Sequence, residues 1–205
     1  MNLPNKLTML RIALIPLFIL FTVGLPDIFT RLFTFIGLGD LMRAFTEFVS
    51  DFGLLTAGII FIIAFITDAL DGYIARENYL VTDFGAFLDP IADKLLVTAA
   101  LVSLAARGLI GAWIPALIIS REFIVTGLRM IASNKGIVLA AGAFGKMKTV
   151  VQSAALILIL FQNFHISFLA SINAGSILLY IALLLTLLSG ADYIIKNREL
   201  FADSK

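Results

Sequence analysis

The sequence predicts an all-α integral membrane protein of six transmembrane helices. Three observations lead there. Of 205 residues, 60% are hydrophobic and only 14% charged, whereas a soluble domain carries about a quarter of its residues as charge. Six apolar runs approach the roughly 20 residues needed to cross a hydrocarbon core about 30 Å thick. Threading those runs alternately through a bilayer gathers twelve of the fifteen basic residues on one side.

In chain order the runs are Ile12 to Leu25, Leu54 to Leu70, Phe84 to Ala106, Leu109 to Ile131, Val150 to Phe164 and Ile172 to Ile195. The first and fifth are short, and span fully only if they extend into polar sequence or their flanks snorkel. The N-terminal run follows a weakly basic start but lacks a small-residue cleavage site, so it reads as a retained first helix rather than a signal peptide. Lys6, Arg11, Arg76, Lys94, Arg121, Arg129, Lys135, Lys146, Lys148, Lys196, Arg198 and Lys205 fall on one side. Arg31, Arg43 and Arg107 fall on the other. The imbalance assigns the first side, with both termini, to the cytoplasm. A soluble helical bundle would show polar faces, which these runs mostly lack.

Residues 26 to 51 form the longest outward segment. Phe29, Phe33, Phe35, Phe45 and Phe48 among scattered charges read as an amphipathic stretch lying on the outer leaflet. On the inner side, Lys6 and Arg11 are placed to meet anionic headgroups. The length and the lack of any linker or repeat indicate a single domain, residues 1–205. A net charge of +1 gives no electrostatic case for nucleic acid, and the absence of cysteine excludes disulfides, zinc thiolate sites and cysteine nucleophiles.

Where the second span meets the third, acids accumulate. Asp68 and Asp71 are spaced i,i+3 and share one helix face, and Asp89 and Asp93 share another at i,i+4. Four carboxylates near hydrocarbon repel one another and are expensive to desolvate, so they call for a compensating cation. Oxygen donors without His or Cys favour Mg²⁺ or Mn²⁺ over zinc or copper, and Mg²⁺ commonly completes its shell with substrate phosphate. Intramembrane acids are functional by default; four solvated helix ends are the bland alternative. Gly72, Ala75 and Gly85 leave room beside the acids for a ligand or a neighbouring backbone, and Arg76 suits bidentate phosphate binding. For either glycine alone, tight helix packing explains as much.

The pattern D-x2-D-G-x2-A-R-x8-G-x3-D-x3-D, from Asp68 to Asp93, resembles the signature of the CDP-alcohol phosphatidyltransferases, with every fixed position matched. The likeness extends from Asn2-Leu-Pro-Asn-Lys-Leu-Thr8 to the last span and is greatest to the bacterial glycerol-phosphate members. It implies a six-helix homodimer with short interfacial helices and a polar cavity, open to the cytoplasm, that holds two metal ions. By this resemblance Asp68, Asp71 and Asp89 are metal ligands, and Asp93 sits with the metals as the base for the acceptor hydroxyl. Asp68, Asp71, Gly72, Arg76 and Gly85 hold the CDP moiety.

A second polar cluster comprises Ser120-Arg121-Glu122-Phe123 and Thr126-Gly127-Leu128-Arg129, closing the fourth span, and Gly145-Lys146-Met147-Lys148-Thr149, opening the fifth. Arg121 and Arg129, eight residues apart, reach one cavity from a single helix. Together with Lys148 they suit an anion such as an acceptor's phosphate, with Glu122 orienting an arginine or a hydroxyl. Lys135, Lys146 and Lys196 read as anchors on the cytoplasmic side. The R-E-F-x2-T-G-x-R run resembles the acceptor region of the glycerol-phosphate branch. That implies CDP-diacylglycerol and sn-glycerol 3-phosphate as substrates, giving phosphatidylglycerophosphate and CMP. Inositol phosphate or serine as acceptor is the competing reading within the family. A metal-ion transporter is the competing reading outside it, one with no use for Gly72, Arg76 and Gly85 at those spacings. His165, the single histidine, reads as an exposed loop residue.

Overall fold

A computed structural model describes residues 3–77, 83–134, 143–162 and 173–196 of the protein, and every regular element among them is helical. The helices are α1 (Leu3–Val23), α2 (Asp27–Phe35), α3 (Gly39–Glu77), α4 (Asp83–Ala106), α5 (Trp113–Asn134), α6 (Ala143–Leu160) and α7 (Ala174–Lys196). Three stretches are long and apolar enough to cross a bilayer: Asn5–Val23, Gly39–Asp68 and Ala174–Lys196. At 24 and 22 residues, α4 and α5 have the length as well, but charged residues interrupt both: Asp89, Asp93 and Lys94 in the one, Arg121, Glu122 and Arg129 in the other. The protein is thus an all-α integral membrane protein.

The helix ends differ from the apolar runs in instructive ways. The first span starts at Leu3 instead of Ile12, because its polar residues Asn5, Thr8 and Arg11 are buried by the protein itself and need no water. It closes where Gly24 adopts φ +86° and donates to the Leu20 carbonyl, a left-handed ending that glycine takes without strain. The outward segment is not one interfacial stretch. After the nine-residue α2, the chain turns at Gly37 and enters the 39-residue α3, which carries Phe45 and Phe48 straight on into the second span. At 1.5 Å per residue α3 is about 58 Å long, nearly twice the hydrocarbon thickness.

Two compact units divide the chain: Met1–Leu109 with Leu160–His165, and Ile110–Ile159 with Ile166–Lys205. In the first, α1 packs along both α3 and α4, and among the described residues α3 and α4 also touch each other. Phe21 meets Phe45 and Phe48, Phe18 meets Phe61 at 6.0 Å between centroids, and Arg11 meets Asp68. Numbers fall along α1 as they rise along α3, so the two helices run antiparallel. Their backbones come so close that a Cβ on Gly53 would run into the Phe21 carbonyl oxygen. Close approach of this kind is how membrane helices gain dispersion energy when hydrocarbon outside gives no hydrophobic drive to associate.

In the second unit α5 and α7 run parallel. Trp113 stacks on Tyr180 at 6.1 Å, Arg121 reaches Thr186 and Ser189, and Arg129 reaches Tyr193. Gly175 admits the Ile159 side chain of α6, which a Cβ would meet at 2.7 Å. Both units place apolar groups outward. Phe35, Phe123, Met130 and Val150 are largely exposed, whereas Thr8, Arg11, Lys148 and Gln152 are buried. That inverted distribution suits a hydrocarbon surround, in which polar groups must be satisfied internally. The hydroxyls of Thr22, Thr67 and Thr186 follow the same rule, each donating to the carbonyl one turn back.

Candidate active site

Asp68 and Asp71 lie within α3, which continues past them to Glu77, and Asp89 and Asp93 lie one turn apart in the first half of α4. The link 78–82 lies outside the described residues, as do the side chains of Asp71, Arg76 and Asp89; Gly72 is placed only as a position in α3. Gly85 is buried in the first turn of α4, and Asp93 is half-buried next to the fully buried Ala92. Among the described residues no three acids or imidazoles gather around one point, a description that takes in Asp68 and Asp93 but not the side chains of their two companions.

Asp68 has a partner that sequence reasoning placed elsewhere. Arg11 Nη1 stands 2.6 Å from its Oδ1 in an ion pair whose arginine is wholly enclosed and whose carboxylate is 40% exposed. Arg11 therefore does not meet lipid headgroups; it lies inside the first unit. The signal was available, because Arg11 interrupts the apolar series Leu-Thr-Met-Leu-Arg-Ile-Ala-Leu-Ile, the same criterion that singled out Arg121 and Arg129. Lys6, by contrast, is exposed. Partly accessible, the Asp68 carboxylate offers the kind of oxygen donor that hard divalent cations take.

The second cluster is gathered in the second unit. Glu122 Oε1 accepts from Arg121 Nη1 at 3.2 Å and is in contact with Lys148 Nζ, so one carboxylate serves two cations. Arg121 is locked further: Nη2 donates to Ser189 Oγ at 2.7 Å and Nε to the Thr186 carbonyl at 3.2 Å. Gly190 lets the Arg121 stem lie flat, since a Cβ there would meet Cγ at 3.0 Å. Arg129, two turns on, is exposed, donates to the Tyr193 hydroxyl at 3.4 Å and lies 5.6 Å from that ring's centroid, a cation–π distance. Glu122 thus orients an arginine as expected, and Lys148 is buried rather than lying at the bilayer surface. Ser189, Thr186, Gly190 and Tyr193 of α7 were not legible as site residues, because they are ordinary in an apolar helix until α5 is laid beside them. Lys196 pairs with Asp192 one turn back at an exposed surface. Lys135 and His165 lie outside the described residues, as does the Lys146 side chain.

The family profile of the CDP-alcohol phosphatidyltransferases matches residues 1–188. The chain belongs to that family. Among CDP-alcohol phosphatidyltransferases it is similar to the CDP-diacylglycerol–glycerol-3-phosphate 3-phosphatidyltransferase of Bacillus subtilis (strain 168), 44% identical over 198 residues that cover 97% of this chain and 96% of the other. The namesake from Rickettsia bellii (strain RML369-C) is 35% identical over 94% of this chain and 93% of its own. A "Probable phosphatidylglycerophosphate synthase" of Mycobacterium tuberculosis (strain ATCC 25618 / H37Rv) is 36% identical over 94% and 80%. CDP-alcohol phosphatidyltransferases are in general dependent on a divalent metal, in keeping with the acids of α3 and α4.

Proposed function

We propose that this phosphatidyltransferase moves the phosphatidyl group of CDP-diacylglycerol onto sn-glycerol 3-phosphate, giving phosphatidylglycerophosphate and CMP. The observation that carries the reading is end-to-end similarity, at 44% identity, to a relative named for that reaction. The complete aspartate pattern and the Arg121-Glu122-Phe123 run support it.

Asp93 takes the proton of the acceptor's primary hydroxyl. The freed oxygen attacks the phosphorus that carries the diacylglycerol, the bond from that phosphorus to the bridging oxygen breaks, and CMP leaves with the bridge. Divalent ions, Mg²⁺ or Mn²⁺ and two in number, held by Asp68, Asp71, Asp89 and Asp93, would neutralise the diphosphate and the departing CMP. Arg76 binds donor phosphate, and Gly72 and Gly85 leave room for the CDP backbone beside Asp68 and Asp71. Arg121, Arg129 and Lys148 bind the acceptor phosphate, with Glu122 orienting Arg121.

We read the chain as one catalytic domain with six crossings, both termini and the site on the cytoplasmic side of the cell membrane, working as a homodimer. With Arg11, Arg121 and Lys148 set aside, because each is paired with a carboxylate away from the exposed surface, nine basic residues oppose three, which supports this orientation. The test is CMP release by purified protein given CDP-diacylglycerol and labelled sn-glycerol 3-phosphate, inositol phosphate or serine. Turnover with the first alone is expected. Turnover only with another acceptor moves the substrate assignment and keeps the class, and metal transport into liposomes without CMP release replaces the class itself.

A further inference from the structure

The first half of α1 is inside-out for a membrane helix. Asn5, Thr8 and Arg11 recur every third residue and are 7%, 0% and 0% exposed, while Met9 and Leu10 between them are 44% and 47% exposed. Three-residue spacing keeps a polar stripe on one side of a helix, and this side faces the helices that α1 packs against, α3 and α4, the two that carry the aspartates. The stripe ends at the Arg11–Asp68 contact of 2.6 Å. Burial there is asymmetric, the guanidinium fully enclosed and the carboxylate partly open. The cation is thus desolvated while one side of the anion stays open to a further partner.

We propose that Arg11 is a positioning residue for Asp68: from α1 it fixes the carboxylate's orientation so that the open side of the group is presented to a divalent cation. The inference rests on Asp68 being a metal ligand, as in the proposed function. Charge alone argues the other way, since a guanidinium close to a metal ligand repels the incoming cation. The arrangement favours metal only if what orientation contributes exceeds that repulsion, and a planar, fully enclosed guanidinium holds one orientation better than a flexible lysine ammonium. Groups that hold a metal ligand from behind characteristically contribute about 10- to 100-fold in metal affinity.

The test compares Mn²⁺ binding, read by electron paramagnetic resonance, in full-length wild type, Arg11→Gln and Arg11→Lys in lipid nanodiscs, with metal-free thermal melts as the folding control. Both variants should bind Mn²⁺ about tenfold or more weakly, and Arg11→Lys should melt close to wild type. Equal or tighter Mn²⁺ binding by Arg11→Gln is what repulsion alone would produce, and it would overturn the proposal. So would wild-type affinity in Arg11→Lys, which would make charge and not orientation the contribution. If Arg11→Gln does not fold, Arg11→Lys decides the matter alone. Turnover of sn-glycerol 3-phosphate by the same wild-type preparation judges the acceptor separately, because Mn²⁺ binding does not depend on which alcohol is used.

Discussion

The Arg11–Asp68 pair of the first unit and the Arg121–Glu122–Lys148 group of the second share one chemistry, guanidinium against carboxylate, with opposite balance. Around the first, one buried cation stands in a segment pair to which the sequence assigns four aspartates. Around the second, one carboxylate stands against Arg121 and Lys148, with Arg129 further along the same helix. Excess negative charge inside lipid calls for a cation and excess positive charge for an anion. Arg11 is paired with one carboxylate in the first place, and Glu122 with two cations in the second.

Breaking the negative side should have the largest effect. Asp93→Asn is expected to lower CMP release by about 10²- to 10⁴-fold while equilibrium binding of CDP-diacylglycerol is largely kept; normal turnover in this variant would remove Asp93 as the base. On the positive side, Arg121→Gln should raise the KM for sn-glycerol 3-phosphate about 10- to 100-fold, the range for a lost charge-assisted hydrogen bond, with the donor's KM unchanged. Were both constants to rise together, Arg121 would be only a clamp between α5 and α7.

Two subtler changes sharpen the contrast. Gly53→Ala pushes a methyl into the Phe21 carbonyl and should cost about 1–3 kcal/mol by overpacking, seen as a lower Tm, with the acceptor KM unaffected because the second unit is untouched. Ser189→Ala removes one of the bonds that hold Arg121 and should cost about 1 kcal/mol, a several-fold rise in acceptor KM. A Gly53→Ala melt equal to wild type would mean that the α1–α3 contact is looser than drawn, and an unchanged KM in Ser189→Ala would mean that Thr186 and Glu122 suffice to aim Arg121.

Much of the fold was legible because hydropathy reports contact with lipid. The cores of the helices lie where the apolar runs put them, and the Asp68–Asp93 spacing announced its family. Contact with protein is what hydropathy does not report. It truncated α1, since Asn5, Thr8 and Arg11 count as polar although other helices cover them. It also split α3, since the charges and phenylalanines before Leu54 read as a surface element until Phe21 is seen packed against Phe45 and Phe48. Of the second cluster, Arg121, Glu122 and Lys148 were legible and the side chains that hold Arg121 were not. Ser189 and Gly190 carry no mark of function in sequence, and their role exists only once α7 lies parallel to α5.

The enclosed arginine of α1 also bears on how the chain is made. Its aspartate partner emerges only after nearly all of α3 has been synthesised, so the first helix enters the bilayer with Arg11 still awaiting Asp68. A central arginine costs about 2.5–3.5 kcal/mol on the insertion scale, less near a helix end where the side chain reaches the interface. The contact that closes α1 against α3 thus offsets that insertion cost only once both helices are present.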